Sequence, residues 1–167
     1  PSLESLHGLK AVALASYPMY KGLARLAGME IVEGLSGFPA QLAALPSALK
    51  RADFVFLHYK ATDSAGEDGD FSKKVRALET YDAAVPALMK AGADVLVVTG
   101  DHSTPAVMGA HSWHPVPFLL HATRCRTEGA EGFTERACGQ GMLGRFPLQS
   151  GMALMLAHAG RLAKYGA

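Results

Sequence analysis

The sequence predicts an α/β fold: three layers, with a mostly parallel sheet between flanking helices. Two observations carry that expectation. Two short apolar runs, Phe54-Val55-Phe56-Leu57-His58-Tyr59-Lys60 and Asp94-Val95-Leu96-Val97-Val98, have the length and β-branched or aromatic content of buried strands. Around them lie stretches with helical spacing, and strands alternating with helices at this interval build parallel layered sheets.

Taken in order, Lys10 to Ser16 alternates toward a short strand. Residues 19–27 are helix-like and stop at Gly28, which suits the position just past a helix end. Glu30-Ile31-Val32 gives a second short strand, and Gly34 to Pro39 reads as a glycine-rich loop. Gln41 to Ala52 has apolar residues suited to a helix, with Pro46 marking an early start or a break. Beyond the 54–60 strand comes an acidic loop, 61–70. Phe71, Val75, Leu78, Val85 and Met89 then form a helical stripe that ends near Gly92, with Pro86 expected to bend it. The 94–98 strand follows, then a further strand at Pro117 to His121. Residues 124–147 read as irregular, with a short helix near 134–138. Leu148 to Tyr165 reads as a final amphipathic helix ended by Gly166.

At 167 residues the chain is long enough for one domain with one core, and 49% hydrophobic with 19% charged residues is a globular composition, not a disordered one. The net charge is +1, and the largest basic cluster, Lys73-Lys74-Val75-Arg76, falls on a helix face, so no nucleic-acid partner is expected. There is no targeting segment and no apolar run of membrane-spanning length, which points to a cytoplasmic protein without a membrane partner. Cys125 and Cys138 form no CxxC pair and have no histidine at finger spacing; they are expected as free thiols. The chain opens on Pro1-Ser2-Leu3 without methionine, as expected of a processed, proteolysed or truncated product of a longer gene.

The chemistry concentrates behind the two apolar strands. Thr99-Gly100-Asp101-His102-Ser103-Thr104-Pro105 follows the 94–98 run, where open α/β sheets place their ligands. A carboxylate oxygen beside an imidazole nitrogen is a mixed donor set suited to Mn²⁺, Zn²⁺ or Fe²⁺. Taken alone, the pair is equally well read as a turn aspartate with a satisfied loop histidine. Behind the 54–60 strand, Asp63, Glu67, Asp68 and Asp70 place four carboxylates in eight residues, which repel one another unless solvated or neutralised by a cation. A solvated loop with Asp70 capping the next helix accounts for Asp68 and Asp70. It accounts poorly for Asp63, which stands just past a buried strand. Two acidic strand ends together point to a shared metal centre. Other chemistries lack their signatures: there is no G-x-S-x-G elbow, no phosphate-binding G-x-x-x-x-G-K-[ST], and the Asp63–Asp70 spacing is not that of a helix–loop–helix calcium site.

Phe54 to Asp63, Asp68-Gly69-Asp70-Phe71, Lys74 to Asp82, Thr99 to Pro105, and His111-Ser112 with Pro115-Val116-Pro117 together resemble one family. From about Leu9 onward the chain is similar to the carboxyl-terminal part of archaeal-type cofactor-independent phosphoglycerate mutases, members of the alkaline phosphatase superfamily. The resemblance implies an alkaline-phosphatase-like core holding two divalent metals, usually Mn²⁺, with Zn²⁺, Mg²⁺ or Co²⁺ as alternatives. It implies interconversion of 3- and 2-phosphoglycerate through a phosphoserine, a step of glycolysis and gluconeogenesis, with a small phosphorylated substrate as partner. Carried over by motif, Asp101 and His102 would bind one metal, and Asp63 and His111 the other. Lys21 stands where a basic substrate contact is expected, unless it is a solvated helix lysine.

The family's nucleophilic serine, one metal-binding aspartate and an inserted substrate domain belong to sequence upstream. Residues 1–167 are therefore expected as one domain without a catalytic nucleophile, inactive alone; Ser64 and Ser103 read as loop or cap residues. The family's second site reads Asp-x-x-x-His, whereas this chain has Asp63-Ser64-Ala65-Gly66-Glu67. Glu67 either ligates, favouring a harder cation, or points away and leaves the site a ligand short. His114 is expected beside the site or on the substrate side, or simply as a partly exposed histidine. His58 is expected in the core, His121 and His158 in packing or surface roles, and His7 near the terminus. Two other readings stay open: a metal-dependent phosphatase of the same superfamily, and a folded remnant without catalysis.

Overall fold

A computed structural model describes residues 1–127, 129 and 132–162. β1 (Ala11–Leu14) is the middle strand of a parallel sheet, flanked by β2 (Glu30–Ile31) and β3 (Phe54–Leu57) in the order β2-β1-β3. Its register sets Ala11 opposite Phe54 and Leu14 opposite Leu57. Alternation along the strands sorts their side chains to two faces. Val12 and Leu14 join Leu45, Ala48 and Leu88 in the buried core, with Val55 and Leu57 packed against them. Those partners come from α3 (Gly37–Leu49) and α5 (Phe71–Lys90), which therefore cover one face. Phe56 points the other way, toward Tyr20 of α2 (Pro18–Leu26), with ring centroids 6.5 Å apart. Helices on both faces of a parallel sheet give the three expected layers.

β4 (Val95–Thr99) and β5 (Phe118–Ala122) form a second, two-stranded sheet, and they run antiparallel. The connection from Gly100 to Pro117 contains no crossover helix, and an antiparallel return needs none. Leu96 still packs against the main core, so the second sheet lies beside the first without sharing a ladder. The two acidic strand ends thus belong to two sheets, not one.

Several elements depart from the sequence reading. Residues 61–70 are not a loop: α4 (Ala61–Glu67) turns through them, and Asp70 caps α5 by accepting from the Lys73 amide at 2.8 Å. Seven residues with two glycines nearby carry no legible helical period, so only packing reveals this turn. The 34–39 loop is shorter than expected because α3 already starts at Gly37. Pro46 and Pro86 both lie inside helices, each within the last five residues, and each removes one helical amide donor to the carbonyl four residues back. A short α1 (Leu3–His7), capped by Ser2, was not expected. α6 (Glu135–Gly139) matches the helix read near 134–138. The last helix is shorter than 148–165: a 3₁₀ turn at Leu148–Ser150 leads into α7 (Gly151–His158), and residues 163–167 lie outside the described residues. Among the described residues no helix is long and apolar enough to cross a membrane.

Candidate metal centre

Three side chains from two segments converge on one point. Oxygen or nitrogen atoms of Asp63, His102 and His111 all lie within 4.8 Å of one another. Asp63 comes from the first turn of α4, directly behind β3, and is half-buried, its side chain 15% exposed. His102 and His111 both come from the loop after β4. An antiparallel bridge between Ser103 and Ser112, with the Ser112 amide donating to the Ser103 carbonyl at 2.8 Å, folds that loop back on itself. The fold-back brings the two imidazoles together, with centroids 3.9 Å apart and planes tilted by 33°. Asp63 Oδ1 stands 3.8 Å from His102 Nδ1 and 3.6 Å from His111 Nε2.

The polar neighbours hold this arrangement. Thr104 is buried; its hydroxyl donates to Asp63 Oδ1 at 2.5 Å and meets His102 Nδ1 at 3.1 Å. The Lys74 ammonium, from α5, donates to the Thr104 carbonyl at 2.5 Å. Gly66 lets α4 approach this same loop, since a Cβ there would collide with the Thr104 carbonyl oxygen. Lys60 donates to Asp63 Oδ2 and stands 3.4 Å from Glu67 Oε2. Burial alone would push the Asp63 carboxyl up, but the Lys60 and Thr104 hydrogen bonds and the Lys60 charge outweigh it, leaving its pKa below the ordinary value. Lys60 is raised in turn, chiefly by its bond to Asp63. An ionised aspartate beside two imidazole nitrogens is a donor set that fits a divalent transition metal.

The other sequence-selected residues take distinct places. Asp101 sits at the rim: Oδ2 lies 3.4 Å from His102 Nε2, and Oδ1 accepts from the His102 amide at 3.0 Å. Burial pushes its carboxyl up, yet the Tyr20 hydrogen bond and the His102 charge hold it below the usual range. Glu67 Oε1 lies 3.4 Å from His111 Nε2, close to the trio but outside its tightest grouping. Lys21 lies on α2 and pairs with Glu33 at 3.0 Å, which Arg25 also contacts at 2.5 Å. His114 is exposed, bonds Ser112 Oγ through Nδ1 at 2.8 Å and stacks on Trp113. His58 is half-buried with its ring stacked on Tyr20; its buried Nδ1 has no partner among the described residues, and burial pushes its pKa down. Ser64 and Ser103 have backbone roles in the α4 turn and the loop bridge. Sequence reasoning passed over Tyr20, Lys60 and Thr104, and it put Lys74 on an exposed helix face, whereas the Lys74 ammonium is part-buried against the Thr104 carbonyl. Thr104 stood inside a quoted motif, but nothing in the sequence says a threonine hydroxyl reaches 41 residues back to Asp63.

Residues 1–158 match the family model of the Metalloenzyme superfamily. A Thermus thermophilus protein named "Probable 2,3-bisphosphoglycerate-independent phosphoglycerate mutase" is 50% identical over 170 residues, covering 100% of this chain and 42% of that protein. A Thermotoga maritima protein of the same name is 44% identical over 167 residues, with the same coverage. The chain thus spans 42% of the length of these curated relatives. Among solved structures, a Pyrococcus horikoshii protein superposes with a TM-score of 0.91 at 31% identity, covering 99% of this chain and 53% of that one. The cofactor-independent phosphoglycerate mutase of Thermoplasma acidophilum gives 0.77 at 25% identity, covering 96% and 39%.

Proposed function

Because this chain belongs to the Metalloenzyme superfamily, we propose that it is the metal-binding carboxyl-terminal part of a cytoplasmic phosphoglycerate mutase that interconverts 3- and 2-phosphoglycerate. The observation that supports this reading most is the convergence of Asp63, His102 and His111 behind two different strands. The names of the relatives supply the substrate class.

Asp63, His102, His111 and Asp101 hold two divalent ions, Mn²⁺ in preference to Zn²⁺, Mg²⁺ or Co²⁺, and Glu67 completes the set. Such ions supply charge neutralisation for a transferring phosphoryl group and lower the pKa of an attacking hydroxyl. The chain's own residues prepare that site. Lys60 and Thr104 keep Asp63 ionised and turned inward. Thr104 also fixes the His102 ring. Lys21 contacts substrate only after leaving Glu33, its ion-pair partner at 3.0 Å. The nucleophilic serine comes from the rest of the longer enzyme, and the 167 residues alone are inactive.

The test is conversion of 3- to 2-phosphoglycerate with Mn²⁺, with free phosphate recorded in the same tube, for this chain and for the full-length gene product. Conversion by the full-length protein alone is the expected result. Phosphate release without conversion moves the assignment to a phosphatase, and silence from both removes the catalytic reading.

A further inference from the structure

The Asp101 carboxylate is held by a residue that no metal-binding sequence pattern contains. Tyr20, in the first turns of α2, donates its hydroxyl to Asp101 Oδ2 across 81 residues of sequence. Its ring stacks on His58 at 3.6 Å between centroids, tilted by 24°, with Phe56 and Tyr17 rings beyond. We propose that Tyr20 is a positioning residue of the metal centre, turning the Asp101 carboxylate toward His102 and the trio. The inference rests on the reading of Asp101 as a ligand.

Three observations carry it. First, β4 shares no ladder with β1–β3, so backbone hydrogen bonding does not fix Asp101 relative to Asp63. Side-chain ties do that instead: Thr104 to Asp63, Lys74 to the Thr104 carbonyl, and Tyr20 to Asp101. Only the last of these three reaches the Asp101 carboxylate. Second, the Asp101 side chain is 53% exposed, and a carboxylate that free samples several rotamers unless a rigid donor selects one. A tyrosine with only two side-chain torsions, its ring stacked on His58, is such a donor. Third, an ionised carboxylate accepts at about four lone-pair sites. The Tyr20 hydroxyl uses one on Oδ2 and the His102 amide one on Oδ1, which leaves each oxygen able to ligate a cation. Partners of this kind around metal ligands typically contribute about 10- to 100-fold in metal affinity.

Tyr20→Phe removes the hydroxyl and keeps the stacked ring. Mn²⁺ titration of the 167-residue chain by calorimetry should give a dissociation constant weakened about 10- to 100-fold, with the melting temperature in chelator unchanged. The visible spectrum of the Co²⁺-loaded chain should shift as the Asp101 contribution is lost. On an Asp101→Ala background, Tyr20→Phe should cost no further affinity, because the hydroxyl acts through that carboxylate. Wild-type Mn²⁺ affinity in Tyr20→Phe, with Asp101→Ala weakened, overturns the inference and leaves the site reading intact. Fully additive losses in the double variant also overturn it. Unchanged affinity in Asp101→Ala, or no Mn²⁺ binding by the unaltered chain, removes the ligand reading and this inference together.

Discussion

Gly66→Ala puts a methyl group where the structure has none to spare. Gly66 is buried inside α4, and an added Cβ would collide with the Thr104 carbonyl oxygen, lie 2.9 Å from Thr104 Cγ2 and 3.0 Å from the Lys74 ammonium. In an open helix the same change stabilises by about 0.8–1.0 kcal/mol. Here the obstacle is backbone, which puts the overpacking cost at the upper end of about 1–3 kcal/mol, so the expected net loss is about 2 kcal/mol. For a chain of this size that lowers the melting temperature by roughly 4–8 °C. Because Thr104 also bonds Asp63 and His102, the displacement separates the two halves of the metal centre, and Mn²⁺ affinity should fall with stability. Gly22→Ala is the matched control: Gly22 lies in α2 with nothing within 4 Å of its would-be Cβ, and the change should be neutral or stabilising. Thermal melts with and without Mn²⁺ measure both effects. If Gly66→Ala melts with or above the wild type, the close approach of α4 to the Thr104 loop is not a constraint and the reasoning fails.

Further predictions concern charge at the same site. Glu67→His replaces a carboxylate 3.4 Å from His111 with a neutral nitrogen, and should shift preference from Mn²⁺ toward softer Zn²⁺ in competition titrations; an unchanged preference places Glu67 outside the metal's ligands. Asp53, Asp63 and Asp101 all have native pKa values held below the ordinary carboxylate value. For Asp53 the first cause is the Lys10 amide bond, followed by the Arg161 guanidinium. Stability from these groups is fully present above an unfolded value of about 3.9 and is lost as pH falls through the lower native values. Urea unfolding of the metal-free chain should therefore weaken below about pH 4, and Asp53→Asn should flatten that dependence. Stability that stays level or rises between pH 5 and pH 3 contradicts the assigned partners.

Much of this was legible in the chain, for physical reasons that also mark where legibility stops. β3 and β4 announce themselves as short apolar runs with β-branched or aromatic residues, and β1 through the alternation from Lys10 to Ser16. Asp63 and Asp101-His102 stand out in the sequence because open α/β sheets place ligands just past such strands, and His111 stands out through the family motif. α4 was missed because seven residues with Gly66 inside carry no hydrophobic period; its helix exists by packing on the Thr104 loop. The antiparallel pairing of β5 was equally invisible, since an apolar run states nothing about its direction. Tyr20, Lys60 and Thr104 escaped for a common reason. Their roles are hydrogen bonds to a carboxylate, and sequence spacing does not encode which donor will arrive there.

The central claim is that Asp63, His102 and His111 share a divalent metal, and anomalous diffraction at the manganese edge from Mn²⁺-soaked crystals tests it most directly. The account predicts a peak at direct-ligand distance from Asp63 Oδ1 and from a ring nitrogen of each histidine, absent in Asp63→Ala crystals. A second peak beside Asp101 fits the two-ion reading, whereas no peak at the trio at saturating Mn²⁺ would contradict the account.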